Sequence, residues 1–135
     1  MGSLFISHSR HNNESAIELR DWLKEQGWPE IFLDLDPDQG MAPGQLWIEE
    51  LRKAGARCDA ILVLISPEWV ASAFCQSEFS TAHILGKKIF PVMVAATPIA
   101  DMPALLSAHF QYVDLSVPEG KAAGYERLRI GLHRA

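Results

Sequence analysis

Phe74 and Glu78 form the spacing in this sequence that most directly suggests chemistry. Val70, Phe74 and Glu78 follow one another at intervals of four residues in a segment with helical periodicity. The spacing therefore predicts that all three share one helical face, which places a ring beside a carboxylate. An aromatic plane beside a carboxylate suits a flat cationic ligand. The same spacing is typical of a core phenylalanine beside a surface charge, and spacing alone favours that plainer interpretation.

The alternating acids Asp34, Asp36 and Asp38 are a second candidate. A calcium-binding EF-hand loop would need Gly at its sixth position and Glu at its twelfth, where this chain has Gln39 and Gln45. Acids after an apolar strand also occur in phosphatases of the haloacid dehalogenase type, as nucleophile and general acid beside Mg²⁺. The later acidic pair that would hold that metal is missing, so the segment favours a solvated turn.

Other motifs of catalysis and metal binding are absent from the sequence. There is no glycine-rich nucleotide fingerprint, no P-loop and no G-x-S-x-G elbow. None of the five histidines pairs with a cysteine or an acid at a zinc-like spacing, so no metal site is predicted. Cys58 and Cys75 form neither a C-x-x-C motif nor a disulfide framework, which indicates a reducing, cytoplasmic setting.

Short apolar runs that alternate with helical stripes must position these residues. The runs are residues 4–6, 31–33, 60–65 and 89–94, with a weaker one around 112–113. Glycines follow two of the stripes, at Gly27 and Gly86, as natural helix stops. This order predicts an α/β domain with a central five-stranded parallel sheet and helices on both faces.

Composition limits the classes of function. The chain has 135 residues, 48% of them hydrophobic, and a formal charge of −5, which together indicate one globular domain over residues 1–135. An acidic surface does not attract phosphate backbones, so nucleic acid is not an expected partner. No apolar run approaches the length of a membrane helix, and no signal peptide is evident.

In a parallel sheet of this kind, ligands bind beyond the carboxyl ends of the strands. The polar residues that directly follow the strands are therefore the best candidates for a binding site. After the first and third strands these are Ser7, His8, Ser9, Arg10 and Ser66, and a long polar loop over residues 34–44 follows the second.

Six segments, in one order, resemble the TIR (Toll/interleukin-1 receptor homology) domain family, and most closely its prokaryotic members. The resemblance extends over residues 4 to about 115. Its six segments are Leu4–Ser9, Ile31–Asp34, Asp36–Gly44, Leu64–Trp69, Ser72–Phe79 and Gly86–Val92. Any one segment would be a weak match, but six in order are specific. The resemblance implies a flavodoxin-like fold.

The resemblance also implies one of two functions. Some TIR domains only bind other TIR domains, whereas others cleave NAD⁺ between nicotinamide and ribose. The enzymes share an S-x-[FW]-C-x-x-E segment, in which this chain has Phe74 and the catalytic position Glu78. Because many non-catalytic members lack this glutamate, an NAD⁺-cleaving enzyme of immune-type signalling or anti-phage defence is expected. NAD⁺ would be its substrate, and no cofactor is expected.

Further site residues follow from the same resemblance. Ser7, His8, Ser9 and Arg10 correspond to a segment that contacts substrate, with Arg10 suited to phosphate, and Ser66 would bind a ribose or cap the next helix. The family often has an acid a few residues later, in S-x-x-D style, where this chain has His11, Asn12 and Asn13.

Self-association is the last expectation from the resemblance. The segment from Asp34 to Trp47 matches the family's BB loop, which packs against a neighbouring protomer and includes Asp36, Gly40 and Gly44. A loop that meets a different surface of the next copy makes a head-to-tail contact, which builds open filaments. Prokaryotic TIR domains are usually one part of a longer protein, so a sensor domain is expected after Ala135.

Overall fold

The computed structural model of the chain describes residues 2–33, 58–109 and 111–134, and within them it contains a five-stranded sheet. The strand order is β2-β1-β3-β4-β5 and every pairing is parallel. This confirms the sheet predicted from the sequence. The strands are β1 (Ser3–Ser7), β2 (Glu30–Leu33), β3 (Ala60–Ile65), β4 (Lys88–Met93) and β5 (Val113–Asp114).

Helices connect the strands wherever the structure describes the connection. Short 3₁₀ turns lie at Arg10–Asn12, Ile99–Asp101 and Pro118–Gly120. Gly27 and Gly86 lie at the ends of two helices, as the sequence predicts. Their φ angles are 95° and 71°, which glycine adopts without strain. The helices are α1 (Asn13–Glu25), α2 (Pro67–Ala71), α3 (Ala73–Ile84), α4 (Ala104–His109) and α5 (Lys121–Arg134).

Two apolar clusters cover the two faces of the sheet. All six residues of β3 are buried, so the central strand contributes to both clusters. Leu62 and Leu64 pack with residues of α1 and α5, whereas Ile61, Val63 and Ile65 pack with residues of α2, α3 and α4. This double burial explains why β3 is continuously apolar rather than alternating.

The strand order reverses beside β1, which places a binding crevice there. β1 pairs with β2 on one side and with β3 on the other. The chain leaves β1 toward β2 and leaves β3 toward β4, so these two connections diverge. Ser7 ends β1 opposite Val63, while Ser66 directly follows β3. In open α/β sheets this switch point, at the carboxyl ends of the strands, is where ligands bind.

Two elements differ from the sequence prediction. Val70 does not continue the helical face of Phe74 and Glu78, because Ser72 is extended and its side chain caps a new helix by accepting from the Cys75 N–H. From the sequence, Pro98 and Pro103 predict an irregular connection over residues 95–109, but the structure has α4 and a 3₁₀ turn there. Pro103 directly precedes α4, a position where proline is compatible with a helix start.

The packing of α5 against β5 gives a stability prediction. A Cβ at Gly124 would lie 2.6 Å from Leu115 Cδ2 and 2.8 Å from the Asp114 carbonyl oxygen. Gly124→Ala should therefore lower the free energy of unfolding by about 1–3 kcal/mol. Gly131→Ala is the matched control in the same helix, since its Cβ would meet only Phe90 at 3.4 Å. It should stabilise by about 0.5–1 kcal/mol through helix propensity. Urea unfolding of both variants checks the opposite signs.

Candidate functional site

The carboxylate of Glu78 is tied to the end of β1. The Ser7 hydroxyl donates to Glu78 Oε1 over 2.7 Å, across 71 positions of sequence. Ser7 is fully buried, whereas Glu78 is half-buried. The predicted catalytic carboxylate therefore lies at the switch point, anchored on its inner side to the sheet.

The packing of α3 sets the direction of this carboxylate. Cys75, Phe79 and Ala82 of α3 are buried against the sheet, as their spacing predicts. These three side chains fix the rotation of the helix, so Glu78 lies on the flank that reaches the end of β1. Close packing in that interface leaves the helix little freedom to rotate.

Trp69 contributes a third group to this cluster. Its indole Nε1–H donates to Ser7 Oγ over 3.2 Å, and its side chain is fully buried. The ring lies edge-on to Phe79, with centroids 6.4 Å apart and an interplanar angle of 68°. A buried tryptophan usually finds a hydrogen-bond acceptor, and here the acceptor is the serine that holds Glu78.

Ser66 links the loops that follow β1 and β3. Its hydroxyl oxygen accepts from the backbone N–H of Trp69 at 3.0 Å and donates to Asn12 Oδ1 over 2.7 Å. The first contact is the helix cap that the sequence offered as one alternative for Ser66. The second joins the turn before α1 to the start of α2. Ser66 and Asn12 therefore connect the floor of the site, which is the part formed by these two segments, through a hydrogen bond.

The residues after Ser7 lie along the same edge. His8 is buried with Nε2 at 2.8 Å from Asn13 Oδ1, and Ser9 is buried with its hydroxyl accepting from the His11 N–H at 3.3 Å. Arg10 begins the 3₁₀ turn and is exposed. The structure therefore places His8 and Ser9 in the wall of the site and Arg10 on its surface.

Several predicted residues fall outside what the structure describes. Phe74 is in α3, one helical turn before Glu78, but its side chain lies outside the described part of the chain. The proposed BB-loop positions are also outside it. These are Asp34, Asp36, Gly40, Gly44 and Trp47.

Metal-binding groups, reactive thiols or membrane-spanning helices would indicate other functions for the described part of the chain. Among its His, Cys, Asp and Glu side chains, no group of three is arranged to hold a metal ion. Cys58 and Cys75 are both buried and form no disulfide, and burial raises the pKa of the Cys58 thiol, which disfavours the reactive thiolate. Of the helices in residues 2–33, 58–109 and 111–134, none is long and apolar enough to span a bilayer.

Three residues that have no predicted role in the site contact it in the structure. Trp69, Asn12 and Asn13 each hold a polar side chain of the predicted site. Ser66-Pro67-Glu68 is a recognisable helix start, so the Ser66 cap that holds the Trp69 backbone has a local signal in the sequence. Nothing local in the sequence indicates that the Trp69 indole would meet Ser7, because that contact depends on how β1 packs beside β3.

Known proteins share this architecture. The crystal structure of the TIR domain of the Toll-related receptor TRR-2, from the lower metazoan Hydra magnipapillata, superposes with a TM-score of 0.78. It is 18% identical, and the match covers 98% of this chain and 99% of that one, which shows a common fold. No curated protein matches the chain. The model of the TIR domain family matches residues 4–129. Nearly the whole chain is thus accounted for, and it belongs to the TIR domain family.

Proposed function

We propose that this TIR domain cleaves NAD⁺ at the bond between nicotinamide and ribose, with Glu78 as the catalytic carboxylate. The observation that carries the proposal is the Ser7–Glu78 hydrogen bond, which holds a half-buried carboxylate at the sheet's switch point. Glu78 also completes the segment Ser-x-Phe-Cys-x-x-Glu, which resembles the catalytic segment of NAD⁺-cleaving TIR domains.

One carboxylate suffices for this reaction. The nicotinamide nitrogen of NAD⁺ is cationic, so it takes the electron pair of the breaking bond and leaves neutral. No general acid has to protonate the leaving group, unlike in most glycoside hydrolysis. The ribose carbon becomes oxocarbenium-like, and the negative charge of Glu78 stabilises that cation while accepting hydrogen bonds from ribose hydroxyls. Water attack yields ADP-ribose, and attack by an adenine nitrogen or a ribose hydroxyl yields a cyclic isomer.

The other residues of the edge would bind the rest of the dinucleotide. Arg10 is exposed, and a guanidinium has the fork geometry that matches phosphate oxygens. Phe74 would stack on the nicotinamide or on a base, one turn from Glu78. His8, Ser9 and Ser66 lie in the wall and floor that position these groups. NAD⁺ is the substrate in this proposal, and no cofactor takes part.

The cellular setting belongs to the same proposal. A prokaryotic-type domain of this kind would act in the cytoplasm, in immune-type signalling such as anti-phage defence. It would assemble head-to-tail with other TIR domains through the loop that includes Asp34 to Trp47. A sensor domain in the same protein would drive that assembly, and neither a membrane nor nucleic acid would be a direct partner.

A non-catalytic interaction module is the second candidate. It is favoured by the likeness to a domain from a Toll-related receptor and by the apolar side chains of Ile84 and Leu85, which are 82% and 47% exposed. Solvent-exposed apolar groups that lie together are typical of interaction surfaces. An interaction module, however, does not require a carboxylate held at the switch point.

One experiment separates the two candidates. The purified chain is incubated with NAD⁺ at high protein concentration, and the products are resolved by mass spectrometry. Release of nicotinamide would support the enzyme, and the accompanying product would identify hydrolysis or cyclisation. A folded chain that consumes no NAD⁺ even when it is clustered on a support would contradict the enzyme and favour the interaction module.

A further inference from the structure

We propose that Trp69 is a positioning residue for Glu78 and acts on it through Ser7. The three side chains form one hydrogen-bonded chain, from the indole N–H to the serine hydroxyl and from that hydroxyl to the carboxylate. The inference rests on the proposed function, because it concerns how the catalytic carboxylate is held.

The direction of this chain is fixed by the chemistry of its members. An indole Nε1–H can only donate, so Ser7 Oγ is the acceptor of the 3.2 Å contact with Trp69. A serine hydroxyl can donate only one hydrogen bond, and Ser7 donates it to Glu78 Oε1 over 2.7 Å. With one of its two lone pairs accepting from Trp69, the hydroxyl is oriented to donate its proton to Glu78 Oε1.

Burial makes this orientation effective. Ser7 and Trp69 are both fully buried, so water does not compete for the serine hydroxyl. Hydrogen bonds that end on a charged group are strong and are strengthened further in surroundings of low polarity. The chain thus supplies a fixed donor on the inner side of the carboxylate, while Glu78 itself remains half-buried.

Trp69 is itself held at both ends. Its backbone N–H donates to the Ser66 hydroxyl at 3.0 Å, and its ring packs edge-on to Phe79. Phe79 follows Glu78 directly in α3, so the helix that carries the carboxylate also braces the indole that orients it. The indole therefore has little freedom to leave Ser7 when the carboxylate takes up charge or substrate.

The test is a double-mutant cycle in the full chain. Ser7→Ala should lower kcat for NAD⁺ cleavage on the order of tenfold to a hundredfold, as expected for a lost hydrogen bond to a charged group, with KM little changed. Trp69→Phe keeps a ring but removes the donor, and should lower kcat by a smaller factor. If Trp69 acts only through Ser7, the double variant should be no slower than Ser7→Ala. Trp22→Phe, in α1 against Tyr125, is the matched control and should leave kcat unchanged.

Independent, additive losses in the double variant, or an unchanged kcat in Trp69→Phe, would overturn the inference. A second readout does not need turnover. The indole N–H resonance of Trp69, followed by NMR, should shift and exchange faster with solvent in Ser7→Ala, and should shift in Glu78→Gln. If the wild-type chain shows no turnover but these responses appear, the proposed function fails and the hydrogen-bonded chain stands. An indole resonance that is indifferent to both substitutions refutes the chain, including when Trp69→Phe does not fold.

Discussion

Replacing Glu78 by glutamine is expected to lower the rate of NAD⁺ cleavage on the order of 10²–10³-fold or more. Glutamine keeps the size of the side chain and an oxygen that can accept from Ser7, so the contact seen at 2.7 Å is retained in kind. What is lost is the negative charge opposite the developing oxocarbenium ion. Nicotinamide release, followed by mass spectrometry at saturating NAD⁺, measures the effect.

Glu78→Ala and Glu25→Gln complete this experiment. Glu78→Ala also removes the acceptor of the Ser7 hydroxyl and should be at least as slow as Glu78→Gln. Glu25 is exposed at the end of α1, away from the carboxyl ends of the strands, so Glu25→Gln should match wild type. A Glu78→Gln chain that retains wild-type turnover would remove charge stabilisation by this residue from the mechanism.

The sheet could be predicted from the sequence because its signals are local. Residues 60–65 form the apolar run with the clearest limits, and β3 has those limits in the structure. Gly27 and Gly86 mark the ends of helices because both adopt positive φ. Each signal lies within a few neighbouring residues. Burial on two faces requires a continuous apolar run, and a left-handed backbone favours glycine.

Signals that depend on competing local preferences were less informative. Ser72 divides what reads as one helical face into α2 and α3, because its side chain caps the second helix. Pro103 reads as part of an irregular connection, yet proline is tolerated at the start of a helix and α4 begins directly after it. Ser72 is compatible with a helix interior and with a helix cap, and Pro103 with a loop and with a helix start. The residue type alone therefore does not decide between the two.

The site was only partly predictable, since its central contact joins residues 71 positions apart. The family resemblance indicates Glu78, and the predicted sheet places Ser7 at the edge where ligands bind. Neither indicates that Ser7 would contact Glu78 rather than substrate. That outcome depends on the rotation of α3, which is set by Cys75, Phe79 and Ala82 against the sheet.

The structure also changes the role proposed for Ser7. The resemblance implies direct contact with substrate, whereas a fully buried hydroxyl between Trp69 and Glu78 is suited to holding the carboxylate. The exposed Arg10 and the half-buried Glu78 are then suited to meet a dinucleotide. Glu78, held by Ser7 and Trp69, would then determine the rate, and Arg10 would contribute to affinity.

Self-association is expected to raise the activity of each domain. If two protomers complete one site, the active fraction below the dissociation constant is proportional to protein concentration. A tenfold increase in concentration should then raise turnover per domain by about tenfold, by mass action. Fusion to an oligomer-forming segment replaces free encounter by an effective concentration near the millimolar range, so it should raise turnover at low concentration by about 10²-fold or more.

Turnover per domain, measured from nanomolar to high micromolar chain, checks this expectation alongside light scattering. The matched control is a fusion of equal size to a monomeric partner, which should follow the concentration dependence of the chain alone. Substitution of Trp47, in the loop proposed to meet the neighbouring protomer, should raise the dissociation constant, so turnover per domain should rise only at higher chain concentration, with the Glu78 requirement intact. Turnover that is constant per domain over this range, with no gain from fusion, would mean that one protomer holds a complete site, and head-to-tail contact would then have no part in catalysis.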